Sequence, residues 1–106
     1  MKSMQADDET IDEIIERVTV DAYGVEGYSS FAQAFEDEID FPLDATLIGL
    51  SVEIRSVAFD GDERRGLVAV IARDGETHRA SLLDLVLPTG PALLLTNAYR
   101  RWLGIS

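Results

Sequence analysis

Between Phe41 and Ala45 the chain changes its hydrophobic period, and no other feature narrows the accessible folds as much. Upstream, apolar residues recur at helical spacing. From Ala45 onward, Ile48, Leu50, Val52 and Ile54 alternate with Gly49, Ser51, Glu53 and Arg55, the period-two pattern of a half-buried strand. Beyond Pro91 the helical spacing returns. One segment cannot satisfy both periods, so the order is helices, then sheet, then helix, which makes the chain α+β.

Ile11, Ile14, Ile15, Val18 and Ala22 predict a first helix over about 8–22, and Thr10 with Glu13 forms a capping box at its start. Gly24 and Gly27 interrupt that pattern. Ser30 with Gln33 offers a second capping box ahead of Phe31, Ala34, Phe35 and Ile39. This gives a second helix over about 30–40, stopped at Phe41 because the residue before Pro42 is pushed out of the α region. Tyr23, Phe31, Phe35, Phe41 and Trp102 are expected in the core, where aromatics at helical spacing usually pack.

In the middle segment, Val57 and Phe59 fall on odd positions where Ile48 to Ile54 fell on even ones, which predicts a bulge near Ser56 or a corner in one long strand. Asp60, Gly61, Asp62 and Glu63 form a polar connection. An apolar run from Leu67 to Ala72 leads to Asp74-Gly75, the strongest short-range hairpin signal, and then to a strand around His78 to Leu82. Three to five short antiparallel strands with tight turns predict a small barrel over about 45–87. Pro91 suits a first helical position, Leu94, Leu95, Ala98, Tyr99 and Trp102 line one side, and Gly104 can cap a closing helix over about 91–103. The 106 residues, 46% of them hydrophobic, form one domain, 1–106.

Charge is unevenly placed. The net charge is −11. Met1 to Ile54 hold 14 acidic residues against Lys2 and Arg17, a net of −12, while Arg55 to Ser106 hold 6 against seven arginines, a net of +1. Phosphate contacts need a basic face to release counterions, and with the excess charge negative and the second half only nearly neutral, direct nucleic-acid binding is not expected; cations and basic proteins become the natural partners. There is no cysteine, hence no disulfide, thiolate metal site or cysteine nucleophile. The acidic start lacks an apolar signal region, and no stretch approaches the ~18 apolar residues of a membrane span. A cytoplasmic protein without membrane attachment is expected.

The densest charge is "FEDEIDFPLDATL", which places Glu36, Asp37, Glu38, Asp40 and Asp44 within nine positions. Those carboxylates straddle a helix C-terminus, the negative end of its dipole, where a cation is better placed than another anion. With one histidine and no cysteine, the donors are oxygen-rich and suit Ca²⁺ or Mg²⁺ over zinc or copper. Asp60-Gly-Asp62 begins like an EF-hand loop, but Arg65 stands where the invariant glycine belongs and Ile71 where the bidentate glutamate belongs. Asp60, Asp62 and Glu63 therefore read as a solvated hairpin tip. His78 has no nucleophile or orienting acid at a useful spacing, no serine sits in a nucleophile elbow, and no glycine-rich phosphate loop follows a strand. Enzymatic activity is not expected.

"VDAYGVEGYSSFAQAFEDEIDFPLDA", Val20 to Ala45, resembles the opening of the CcbP-type bacterial calcium-binding proteins. In that family an aliphatic-Asp-Ala-Tyr element precedes an aromatic helix, an acidic turn and Phe-Pro. "GLVAVIARDGETHRASLLDLVLP" is similar to the family's two strands and closing segment, and "AYRRW" to its C-terminal piece. About two-thirds of the chain is covered, mainly through Asp21, Ala22, Tyr23, Phe35, Phe41 and Pro42. The resemblance implies a small antiparallel SH3-like β-barrel with flanking helices, and Ca²⁺ binding through surface carboxylates without an EF-hand.

The expectation is an α+β domain with two N-terminal helices, an SH3-like barrel and a C-terminal helix. Its function would be Ca²⁺ binding by Glu36, Asp37, Glu38, Asp40 and Asp44, as a buffer, sensor or adaptor. The alternative is a metal-independent module whose acidic half docks a basic protein. A solvated acidic face explains the same cluster without any ligand.

Overall fold

The computed structural model describes residues 10–104. Helix α1 spans Ile11–Val18 and opens with the capping box the sequence predicts: Thr10 Oγ1 accepts from the Glu13 N–H, and the Glu13 carboxylate accepts from the Thr10 N–H. It is shorter than expected, because Thr19 closes it and the chain turns through Ala22. The predicted start at residue 8 lies outside the described residues.

Helix α2 spans Glu26–Glu38, not 30–40. Ser30 does not cap it. The N–H groups of Glu26, Gly27 and Tyr28 bond back three residues to the carbonyls of Tyr23, Gly24 and Val25, and the Glu26 carboxylate accepts from the Tyr23 N–H. That backbone turn starts the helix a full turn before Ser30. Gly27 lies inside α2 and leaves room for the Trp102 indole, which a Cβ there would overlap. The helix ends at Glu38, ahead of the residue before Pro42, and the chain enters the sheet through a cis Phe41–Pro42 bond.

The sheet contains β1 (Leu43–Leu47), β2 (Leu50–Phe59), β3 (Leu67–Arg73), β4 (Glu76–Ser81) and β5 (Leu85–Val86), all antiparallel in the order β4-β3-β2-β1-β5. It is an open sheet. The predicted closed barrel does not form, since β4 and β5 remain the two edges, joined in sequence by a 3-10 helix, Leu82–Asp84, without a ladder between them. The single strand expected to run through Ile48 is also corrected. Ile48 and Gly49 have φ of 49° and 78° and form a two-residue turn between β1 and β2, the geometry of a type I′ hairpin. Asp74-Gly75 makes the equivalent turn between β3 and β4, as its sequence predicts. The register shifts between Ile54 and Ser56, which makes Arg55 the extra residue of a bulge close to where the parity change placed one.

Helix α3, Pro91–Leu103, starts at a proline and ends on Gly104 in the left-handed region, φ 86°. Its Leu95, Ala98 and Tyr99 meet Phe31, Ala34 and Phe35 of α2 and Ile54, Leu67, Ala69 and Ile71 of the sheet in one apolar core. Tyr28 stacks on Phe59 (centroids 4.9 Å apart) and meets Trp102 edge-on (5.0 Å), while Phe31 touches both Tyr99 and Trp102. Tyr23 is the exception among the expected core aromatics. It lies in the α1–α2 connection and is 82% exposed.

Candidate functional site

The five carboxylates singled out by the sequence do not gather at one point. Glu36, Asp37 and Glu38 occupy consecutive positions of α2, where each side chain leaves the axis ~100° from the last, so the three radiate instead of converging. The Glu38 carboxylate takes two hydrogen bonds from the Arg17 guanidinium, at 2.6 and 3.1 Å, which ties α1 to α2. Asp37 accepts from the Gln33 amide one turn back, at 3.0 Å. Among the described residues, Glu36, Asp40 and Asp44 make no ion pair and no side-chain hydrogen bond. The last turn of α2 holds no basic residue to meet the dipole's negative end.

Asp44 acquires a neighbour that sequence reading missed. The hairpin register places it directly opposite Glu53. Buried Ala45, Val52 and Ile54 alternate with this pair, so both carboxylates stand on the outer face of the sheet. Like charges directly opposite one another on a sheet are destabilising. Glu53 is relieved on one side by Arg55, whose Nε lies 3.2 Å from its carboxylate oxygen; Asp44 is not. The signal was present in the sequence: counting outward from a turn at Ile48-Gly49 puts 44 against 53. It was hidden because Ile48 also continues the alternating pattern.

The other acidic segment is internally satisfied. Asp60 accepts from the Asp62 N–H and Asp62 from the Arg64 N–H. The Arg65 guanidinium reaches both carboxylates, at 3.2 and 3.6 Å. His78 is exposed beside Glu76, with 3.6 Å between Nε2 and the carboxylate. Among the described residues no three His, Cys, Asp or Glu side chains form a group able to enclose a metal ion, and no helix is long and apolar enough to cross a membrane.

Among the described residues, one carboxyl and one hydroxyl group have displaced proton affinities, and both serve the fold. Glu13 is held below the usual glutamate value by the Thr10 backbone N–H and then by the Thr10 hydroxyl. Tyr99 is pushed above the usual tyrosine value by burial, an effect the Leu67 N–H partly opposes and Tyr28 adds to. No family model, no curated protein and no solved structure matches the chain.

Proposed function

We propose that the protein binds Ca²⁺ through the carboxylates at the end of α2 and on the β1–β2 hairpin, as a buffer, sensor or adaptor. The observation that carries this reading is the Asp44–Glu53 pair: two acidic residues set directly opposite each other by strand register, with Asp44, like Glu36 and Asp40, free of any ion pair among the described residues. A hard divalent cation favours such oxygen donors and offsets their repulsion. The resemblance of Val20 to Ala45 to CcbP-type proteins supports the same ligand. The strand order, with a 3-10 helix carrying the chain from one sheet edge to the other, supports an SH3-like description of the open sheet.

The affinity follows from the geometry. Without a loop that encloses the ion, side chains must be ordered on binding, which places Kd at ~10⁻⁵ to 10⁻³ M. Titration of Ca²⁺ in excess Mg²⁺, followed by calorimetry and thermal melting, tests this. Saturable Ca²⁺-specific heat and a raised melting temperature are expected. The pair Asp37→Asn with Asp40→Asn, or Asp44→Asn with Glu53→Gln, should remove most of that binding, while Asp60→Asn with Asp62→Asn should leave it. Absence of heat at millimolar Ca²⁺ and low salt contradicts the proposal.

A second reading rests on the dispersal of Glu36, Asp37 and Glu38 around α2. Carboxylates that radiate give a broad negative field, which suits a basic protein surface. Binding of a basic partner that is unchanged by chelation, in a protein without Ca²⁺-specific heat, distinguishes it.

A further inference from the structure

The strongest unassigned feature is positive. The β2–β3 connection brings Arg64 and Arg65 against β4, and with Arg79, Val68, Ala80 and Ser81 they line a groove of about 280 Å³. Val68 pairs with Ser81 and Val70 with Arg79, so Arg79 and Ser81 project from the same sheet face as Val68, opposite the core-facing Leu67, Ala69 and Ile71.

Acidic residues outnumber basic ones by 20 to 9 in this chain, yet this groove collects guanidiniums that are not neutralised. Asp60 and Asp62 both go to Arg65. The side chains of Arg64 and Arg79 have no ion pair or hydrogen bond among the described residues. Two such cations beside a third repel one another; their main chain is fixed by the Arg64 N–H, which donates to the Asp62 carboxylate, and by the β3–β4 ladder. Ser81 Oγ accepts from the Leu83 N–H at 3.3 Å, which leaves its own O–H to donate. Guanidinium forks match the terminal oxygens of a phosphoryl group bidentately, and a dianion offsets the repulsion better than a single carboxylate.

We propose that the groove between the β2–β3 connection and β4 binds a phosphate monoester dianion through Arg64, Arg79 and the Ser81 hydroxyl, with Arg65 held beside them by Asp60 and Asp62. The volume lies at the small end of ligand pockets, so it takes a phosphoryl head with a short organic part. Val68, on the same face as Arg79 and Ser81, provides the apolar surface for that part. No residue is shared with the acidic face, so the groove is independent of the calcium proposal.

The test uses inorganic phosphate and phenyl phosphate as probes, at constant ionic strength and with chelator present to exclude calcium phosphate, read by calorimetry and thermal melting. Saturable binding is expected. Tighter binding of phenyl phosphate than of inorganic phosphate supports the proposal, whereas equal affinity for the two probes identifies a site for the free anion and overturns the assignment to an ester. Arg64→Gln and Arg79→Gln should each weaken binding roughly tenfold, whereas Arg101→Gln, on the α3 residue that pairs with Asp12, should not. Circular dichroism verifies that the variants fold. The proposal is overturned if neither probe acts beyond chloride of the same ionic strength, if benzoate binds as tightly as phenyl phosphate, or if a variant carrying both Arg64→Gln and Arg79→Gln retains wild-type affinity.

Discussion

Tyr99 illustrates how one buried side chain joins three elements. It is 1% exposed, its ring packs on Phe31 of α2, and its hydroxyl accepts from the Leu67 N–H at the start of β3, at 2.9 Å. Tyr99→Phe keeps the ring but leaves that buried N–H without its acceptor, and should cost about 1–3 kcal/mol in urea unfolding. The pH dependence has a definite sign. Because burial raises the hydroxyl's pKa in the folded state, the associated stability is present below the ordinary tyrosine value and is lost as pH rises through the raised one. The phenylalanine variant should therefore show a smaller alkaline loss of stability, and an unchanged alkaline profile contradicts the assignment. Gly27 is a second case in which contact outweighs propensity. Alanine is worth ~1 kcal/mol over glycine inside a helix, but its methyl would overlap Trp102, and overpacking of a rigid ring costs about 1–3 kcal/mol. Gly27→Ala should be net destabilising by chemical denaturation; a stabilised variant would mean that Trp102 moves aside freely. Phe31, Phe35, Tyr99 and Trp102 were legible from helical spacing, Tyr28 and Phe59 were not singled out for the core, and Tyr23 was misplaced in it. Its spacing resembles a helix, but its backbone N–H is engaged by Glu26 in the turn before α2, and the ring points outward.

Among the elements, the β1–β2 hairpin shows why alternation alone misleads. Ile48 continues the even-numbered apolar pattern, yet it occupies the tip of a turn, 89% exposed and at φ 49°. A β-branched residue is strained in the left-handed region, where asparagine is tolerated, and Asn-Gly is the preferred pair for this turn. Ile48→Asn should raise stability by about 1 kcal/mol in thermal melting, without altering Ca²⁺ binding, because the Asp44–Glu53 register is set by the same two-residue turn. A destabilised variant would show that Ile48 has packing which its exposure does not indicate. Asp74-Gly75 was recognisable because its residues announce the turn; Ile48-Gly49 was not, because only its second residue does. The same omission concealed Glu53 as the neighbour of Asp44, so the candidate site was half legible: the acidic residues could be named, but not the strand partner. Closure of the sheet was illegible for another reason. Strand count and turn chemistry are local, whereas closure depends on pairing between β4 and β5, and β5 is only two residues long. The exposed edge β4 carries Glu76, Thr77, His78 and Arg79, polar residues that discourage pairing with another chain.

For the whole molecule, the division of charge between the two halves of the sequence survives folding only in part. Arg17 and Arg101 reach across to Glu38 and Asp12 and fasten α1 to α2 and α3, but exposed pairs of this kind contribute little each, and the chain still has a net charge of −11. Self-repulsion at that charge opposes the compact state, while the apolar core is complete without any metal. The fold should therefore persist after chelation, with secondary structure by circular dichroism unchanged, and it should melt at higher temperature as NaCl screens the acidic face. Ca²⁺ should exceed the effect of an equal ionic strength of NaCl, since a bound ion adds RT ln(1 + [L]/Kd), about 2.7 kcal/mol at a hundredfold excess over Kd. In a domain of this size that corresponds to a rise of roughly ten degrees or more. The two responses separate the competing accounts of the acidic face. A melting temperature that follows salt but treats Ca²⁺ as any other electrolyte leaves a diffuse field, the form suited to a basic protein partner. One that ignores both would mean that the repulsion among Glu36, Asp37, Glu38, Asp40 and Asp44 is already dissipated in water, and that no cation is needed to offset it.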